Sequence, residues 1–71
     1  MTATEKARGY AQGLTNTQLR DSITFFADKA SDHGNRVIFS ILCAEGCKRT
    51  GLDPRTVAAS GNIVNTLTAA L

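Results

Sequence analysis

The chain is poor in the residues that most catalytic and metal-binding sites require. Its 71 residues include one histidine, two cysteines and no tryptophan. General acid–base catalysis needs a histidine or carboxylate held in a pocket beside a partner, whereas His33 lies in a predicted polar turn. A structural zinc site needs four ligands, more than His33, Cys43 and Cys47 supply. The sequence therefore predicts a protein that is not an enzyme and holds no cofactor or metal.

Long apolar runs and low-complexity tracts are also missing. The single proline, 42% hydrophobic residues and 20% charged residues are typical of a folded globular protein. No stretch approaches the roughly 20 apolar residues that span a bilayer, and the first residues lack the order of a secretion signal. We expect one helical domain over residues 1–71, located in the cytoplasm and without a membrane partner.

The excess of positive charge is small and lies in the second half of the chain. Basic and acidic residues cancel over residues 1–34, so residues 35–71 carry the whole net charge of +2. A mild excess attracts nucleic acid only weakly, and it falls short of the dense basic stripe typical of phosphate-binding surfaces. Charge alone therefore does not predict a nucleic-acid partner.

The spacing of apolar residues predicts an all-α fold, because no segment alternates with the period of a strand. Leu19, Ile23, Phe26 and Ala30 recur at the spacing of one helical face. We expect a small bundle of three to four helices over about residues 3–12, 16–31, 35–50 and 54–70.

Local signals mark the ends of these helices. Residues 2–5 have a capping-box pattern, and Thr15 with Gln18 forms a second one, flanked by Leu14 and Leu19 as a hydrophobic staple. Gly51 is placed to end the third helix, while Asp53 and Pro54 suit the start of the fourth. Gly61 lies inside the predicted fourth helix and weakens it. The sequence does not decide whether the helix continues through Gly61 or breaks or kinks there.

The third helix carries the most informative segment, residues 37–44. Seven of its eight residues are apolar, and only Ser40 interrupts the run. Such a helix is apolar nearly all the way round, and a 71-residue chain has few other elements to cover it. The segment therefore predicts self-association or a protein partner.

We interpret the chain as a small regulatory protein or inhibitor that binds and occludes or bridges a host or cognate protein, and that forms a homodimer. The candidate contacts are the large apolar side chains that a small bundle cannot all bury. For Ile38 and Leu42 the alternative is core packing. The candidates are Tyr10, Phe25, Ile38, Phe39 and Leu42.

The two cysteines, Cys43 and Cys47, are four residues apart and lie on neighbouring turns of one helical face. A disulfide between them would strain the helix. We expect both to be small residues packed between helices. An intermolecular disulfide is the alternative if Cys47 is exposed at a dimer interface.

Residues 47–57 resemble a helix-turn-helix, the DNA-binding motif in which a small residue and a glycine form the corner. Cys47, Gly51, Leu52 and Val57 match that pattern, whereas Ser60 stands where the motif has a bulky apolar residue. The resemblance implies a DNA-binding transcriptional regulator. The same residues also suit a structural corner between packed helices, and both interpretations stay open. The residues that would contact DNA are Lys48, Arg49, Arg55 and Asn62.

Overall fold

Five α-helices make up residues 3–71, the part of the chain that the computed structural model describes. They are α1 (Ala3–Gly13), α2 (Asn16–Ala27), α3 (His33–Thr50), α4 (Pro54–Ala59) and α5 (Ile63–Ala70), and these described residues contain no strand. The predicted all-α class is confirmed. Within this same range, every helix is too short or too polar to cross a lipid bilayer.

The first two helices begin near the predicted positions. The predicted cap of α1 depends on Thr2, which lies outside the described residues. The capping box of α2 is confirmed: the Thr15 hydroxyl accepts a bond from the Gln18 amide at 3.1 Å, and the Thr15 amide donates to Gln18 Oε1 at 2.9 Å. Leu19 of the predicted staple is fully buried, and Leu14 packs against the core.

The turn between α2 and α3 differs from the prediction. Helix α2 ends at Ala27 rather than near residue 31, and α3 begins at His33 rather than at Asn35. The Asp32 carboxylate accepts a bond from the Asn35 amide at 3.2 Å, so Asp32 caps the first turn of α3. That cap places His33 inside the helix.

The corner between α3 and α4 forms as the sequence predicts. Gly51 ends α3 with a φ of 74°, a left-handed conformation that favours glycine. Asp53 then caps α4, since its Oδ1 accepts a bond from the Arg55 amide at 2.8 Å, and Pro54 occupies the first turn. Leu52, between them, packs against the core.

Two helices rather than one occupy the predicted span of 54–70. The Ser60 amide and hydroxyl both bond back to the carbonyl oxygen of Val57, at 3.2 and 2.6 Å, which ends α4. Gly61 has a φ of 80°, and the side chain of Asn62 caps α5 by accepting a bond from the Asn65 amide at 3.1 Å. The helix therefore breaks at Gly61, the position where the sequence allowed either a continuous or a broken helix.

The core is small, and it forms where α2, α3 and α5 meet. Among the described residues it consists of Ala11, Leu19, Ile23, Leu42, Cys47, Val57 and Leu67. Gly46 lets α5 approach α3 closely: a Cβ there would lie 3.4 Å from Leu67 Cδ2 and 3.5 Å from Ile23 Cδ1. Leu42 is 1% exposed, so this candidate contact residue belongs to the core.

The apolar run of α3 is only partly covered by the other helices. Of residues 37–44, only Leu42 is buried, while Val37 is 38% exposed. Ile38, Phe39, Ile41 and Cys43 are half-buried at the edge of the core. The helix therefore presents apolar surface on more than one side.

We expect substitutions of Gly46 to depend steeply on size. Gly46→Ala should raise the free energy of unfolding by about 0.5–1 kcal/mol, because alanine favours the helix and its methyl group fits the gap. Gly46→Leu should lower it by about 1–3 kcal/mol through overpacking against Leu67. Urea unfolding followed by circular dichroism measures both changes.

Gly9→Ala is the matched control, since a Cβ on this helical glycine meets nothing within 4 Å. It should stabilise the chain by a similar amount to Gly46→Ala. A Gly46→Leu variant as stable as the parent would contradict the close approach of α5.

Candidate protein-binding surface

The candidate contact residues lie on different sides of α3. Tyr10 and Ile38 line one groove together, Phe39 lines a second groove, and Phe25 lies on the exposed side of α2. Leu42 contributes to the floor of the first groove from the core. The structure thus brings Tyr10 and Ile38 together and separates Phe39 from them.

The first groove, which we call the aromatic groove, lies between α1, α2 and α3. It has a volume of about 410 Å³ and is lined by Lys6, Ala7, Tyr10, Phe26, Ile38, Ile41 and Leu42. Tyr10 is 64% exposed, the largest exposed fraction among the large hydrophobic side chains of residues 3–71. Its ring therefore stands at the rim, beside a floor of aliphatic side chains.

Two aromatic rings extend this surface along α2. The rings of Phe25 and Phe26 meet edge to face, with centroids 5.1 Å apart and an interplanar angle of 87°. Phe25 is 56% exposed, and the Lys29 ammonium lies 4.0 Å from the centre of its ring. Phe26 lines the groove, so Phe25 adds an exposed aromatic side chain next to it.

The aromatic groove has a basic residue among its lining side chains. Lys6 is the only charged residue that lines it within the described part of the chain. Lys29, above Phe25, adds a second positive charge nearby. A surface with an apolar floor and lysines at its edge is complementary to apolar side chains accompanied by a carboxylate.

Sequence reasoning missed Phe26 and Ile41 as lining residues of this groove. The sequence placed Phe26 on the buried face of α2, and in the structure it packs against the core with one side still open to the groove. Ile41 follows Ile38 by three residues, a spacing that places both on one helical face. That spacing could have indicated that Ile41 lines the same surface as Ile38.

The second groove, which we call the corner groove, lies between α3 and the corner that leads into α4 and α5. It has a volume of about 320 Å³ and a mainly apolar lining. Its residues are Arg36, Phe39, Ser40, Cys43, Ala44 and Cys47 of α3, with Pro54, Val57 and Ala58 of α4 and Ile63 of α5. Phe39, a candidate contact residue, therefore belongs to this second surface.

Both cysteines line the corner groove and carry free thiols. Cys47 is 5% exposed, whereas Cys43 is half-buried, so Cys43 is the more accessible of the two. Burial, together with a smaller contribution from the neighbouring Cys47, raises the pKa of Cys43 to about 12. Burial and the charge of Asp53 raise the pKa of Cys47. Both thiols therefore stay protonated at neutral pH and are poor nucleophiles.

The residues expected to contact DNA have different surroundings. Lys48 and Arg55 are exposed, on either side of the Gly51 corner. The Asn62 side chain caps α5. Helix α4, which would serve as the recognition helix, has six residues and spans about 9 Å.

Arg49 is bound within the fold. Its Nε donates to Glu45 at 2.7 Å, and its Nη1 donates to Asn16 at 3.0 Å. Its Nη2 donates to the carbonyl oxygens of Ala11 and Gln12 at 3.1 and 3.2 Å. These bonds join the last turn of α1 and the start of α2 to α3, and they leave the guanidinium little capacity to bind a phosphate.

Within residues 3–71, no three histidine, cysteine or carboxylate side chains are grouped as metal ligands would be. Comparison of the chain with protein-family models, with curated proteins and with solved structures finds no match. A proposal for the function therefore depends on the grooves and charged residues described above.

Replacing Arg49 should destabilise the fold. We expect Arg49→Met to lower the free energy of unfolding by about 2 kcal/mol, because the partly buried Glu45 carboxylate loses its ion pair and the bonds from the guanidinium to α1 and Asn16 are lost. Arg49→Lys should lower the free energy of unfolding by less, since lysine keeps the positive charge but lacks the planar set of guanidinium donors. Thermal and urea unfolding measure these losses.

Lys48→Met is the matched control, because it removes the adjacent, exposed charge. It should change stability by no more than about 0.5 kcal/mol. Equal stabilities for the Arg49→Met and Lys48→Met variants would show that Arg49 does not hold α1 in place.

The thiols should make stability fall in alkaline solution. Above about pH 9, an unfolded chain loses thiol protons that the folded chain retains, because the folded pKa of Cys43 is about 12. The free energy of unfolding should therefore fall as the pH rises, by up to about 1.4 kcal/mol per pH unit for this group. Urea unfolding at a series of pH values measures the slope.

Cys43→Ala should make that slope shallower, whereas Ser40→Ala, in the same groove, should leave it unchanged. A Cys43→Ala variant with the parent slope would mean that the Cys43 thiol is solvated in the folded chain.

Proposed function

We propose that the chain is a small, non-enzymatic regulatory protein that binds another protein through the aromatic groove. The observation that supports this most strongly is the exposed Tyr10 ring at the rim of a groove that has an apolar floor and a volume of about 410 Å³. In this proposal the protein occludes or bridges its partner, acts as a homodimer, and works in the cytoplasm. The cytoplasmic location rests on the sequence alone.

Tyr10 suits the role of an anchor in a protein interface. Tyrosine supplies a large apolar ring and a polar hydroxyl while it loses little side-chain entropy on binding. Residues that dominate interfaces are enriched in tyrosine and lie beside pockets from which water is excluded. The aliphatic floor beside Tyr10, formed by Ile38 and Ile41, provides such a pocket.

The charge of the aromatic groove favours a different protein over a second copy. A second copy would present the same lining, in which Lys6 is the only charged residue within residues 3–71, so it would bring no lining carboxylate to pair with Lys6. Like charges at an interface oppose association, and here no lining carboxylate offsets them within residues 3–71. The expected partner presents apolar side chains and a carboxylate that faces Lys6.

DNA binding at the Gly51 corner is the alternative. It is supported by the exposure of Lys48 and Arg55 on either side of the turn. In that case Arg55→Ala would weaken binding, and treatment of the cell extract with nuclease would remove the bound material. The two functions therefore give opposite results in one experiment.

We expect Tyr10→Ala to abolish capture of the partner protein. Tagged protein is incubated with nuclease-treated extract of the cells that encode it, and the retained proteins are identified by mass spectrometry. Loss of an interface anchor costs about 2 kcal/mol, which is roughly a thirtyfold weaker complex. Because Tyr10 is mostly exposed, the variant should fold as the parent does.

Gln12→Ala is the matched control, since it changes an exposed residue on the same helix away from the aromatic groove. It should retain the partner. Equal capture by the Tyr10→Ala and Gln12→Ala variants would reject the aromatic groove as the binding surface. In a parallel experiment with untreated extract, recovery of DNA that is lost with Arg55→Ala would favour the alternative.

A further inference from the structure

We infer that α1 is a detachable strap, which lifts away from α3 as one unit while α2, α3, α4 and α5 stay folded. The closed strap completes the aromatic groove, whereas the open strap removes one wall of that groove and uncovers the side of α3 beneath it. This inference goes beyond the proposed function, because it concerns the free chain and holds whether or not the aromatic groove binds a protein.

Helix α1 packs on the rest of the chain with small side chains. Over residues 4–13, Ala11 is buried, Ala7 is half-buried and the others are exposed. Helix α2, in contrast, buries both Leu19 and Ile23 completely. A buried methyl group contributes far less to stability than a buried leucine or isoleucine side chain does. Apolar packing therefore holds α1 only weakly.

Open space lies on both sides of the contact between α1 and α3. On one side is the aromatic groove, with Tyr10 at its rim. On the other side a cavity of about 290 Å³ separates Arg8 and Gln12 of α1 from the outer side chains of α3. Ile41 of α3 lines both spaces. Helix α1 therefore touches α3 along a narrow strip, and little has to move when it lifts away.

Helix α1 is also weak as a helix in its own right. It has 11 residues, and helices of this length are marginal in water without contacts to other elements. Gly9 lies in its interior, where glycine loses more backbone entropy than alanine. A Cβ at Gly9 would meet nothing within 4 Å, so packing does not require glycine at this position. Once α1 leaves α3, it should therefore unfold.

The Arg49 side chain of α3 fastens the end of this weak helix. Its guanidinium donates to the carbonyl oxygens of Ala11 and Gln12 at 3.1 and 3.2 Å, and the Glu45 carboxylate holds its Nε at 2.7 Å. The Arg49 and Glu45 side chains are 18% and 11% exposed, so water competes little for these bonds. Both bonds to α1 lie in its last turn, and they break together when α1 lifts.

The remaining four helices keep a core when the strap is open. The Thr15 and Gln18 capping box starts α2 with bonds that do not involve α1. Apart from Ala11, all the core residues belong to α2, α3, α4 and α5. They are Leu19, Ile23, Leu42, Cys47, Val57 and Leu67.

Native-state hydrogen exchange followed by NMR tests the strap on the free chain. The amides of residues 7–13 should exchange about tenfold or more faster than the slowest amides of α2 and α3, because α1 opens before the whole chain unfolds. Gly9→Ala should slow the exchange of α1 about two- to fivefold, since alanine favours the closed helix. Amides of α1 that exchange as slowly as those of α2 would overturn the inference.

Arg49→Lys distinguishes opening as one unit from fraying at the start of the helix. The bonds from Arg49 reach only the last turn of α1. If α1 opens as a unit, this variant should speed exchange roughly fivefold at Ala7 as well as at Gln12. Lys48→Met, the matched control at the exposed neighbouring residue, should leave exchange in α1 unchanged. An acceleration confined to the amides near Gln12 would contradict opening as a unit.

Ile23→Val distinguishes opening of the strap from unfolding of the whole chain. It removes one methyl group from a fully buried side chain beside Gly46, so the variant should still fold. The slowest amides of α2 should exchange roughly fivefold faster, whereas those of α1 should not change. Equal acceleration in α1 and α2 would mean that α1 opens only when the chain unfolds, and the inference would fail. Partner capture by the Tyr10 variants is a separate result, because these exchange measurements need no partner.

Discussion

The aromatic groove depends on the bonds that Arg49 makes between α1 and the rest of the fold. Helix α1 contributes Ala11 as its buried residue, so apolar packing holds it less firmly than it holds α2 or α5. The Arg49 guanidinium adds bonds to the carbonyl oxygens of Ala11 and Gln12, which belong to the last turn of α1 and lack partners within the helix. Since α1 supplies Lys6 and Tyr10, the position of one wall of the groove follows from a residue in the third helix.

The second constraint is the shortage of apolar cover for α3. A chain of this length buries a smaller share of its surface than a larger domain does, and the helices around α3 leave half-buried side chains on two sides. Each exposed side has a mainly apolar lining with one basic residue, Lys6 in the aromatic groove and Arg36 in the corner groove. A helix that a monomer cannot cover thus gives a small protein two separate surfaces.

Features that depend on a few neighbouring residues were predictable from the sequence. The Thr15 and Gln18 capping box, the Gly51 corner and the Asp53 cap follow from local hydrogen bonding, and the structure confirms them. The end of α2 was not predictable from helical spacing, because Ala30 continues the apolar face while the chain already turns after Ala27. The early start of α3 reflects the Asp32 cap, which lies three residues before the predicted start of the helix at residue 35.

Features that depend on residues distant in the sequence could not be predicted from it. Nothing in residues 47–57 indicates that Arg49 reaches Ala11, since the two are separated by most of the chain. The two grooves likewise combine residues from three helices, and their lining depends on how these helices cross. The sequence therefore predicted Tyr10 and Phe39 as contact residues without showing that they line different grooves.

The short helix α4 gives one wall of the corner groove a distinct dynamic character. Val57 is its only buried residue, and its two ends are held by the Asp53 cap and the Ser60 turn. Segments with so little buried surface open locally at a small free-energy cost, well before the whole chain unfolds. Helix α4 can therefore open and close again while α2 and the core stay folded, so this wall of the corner groove is more adaptable than the wall that α3 forms.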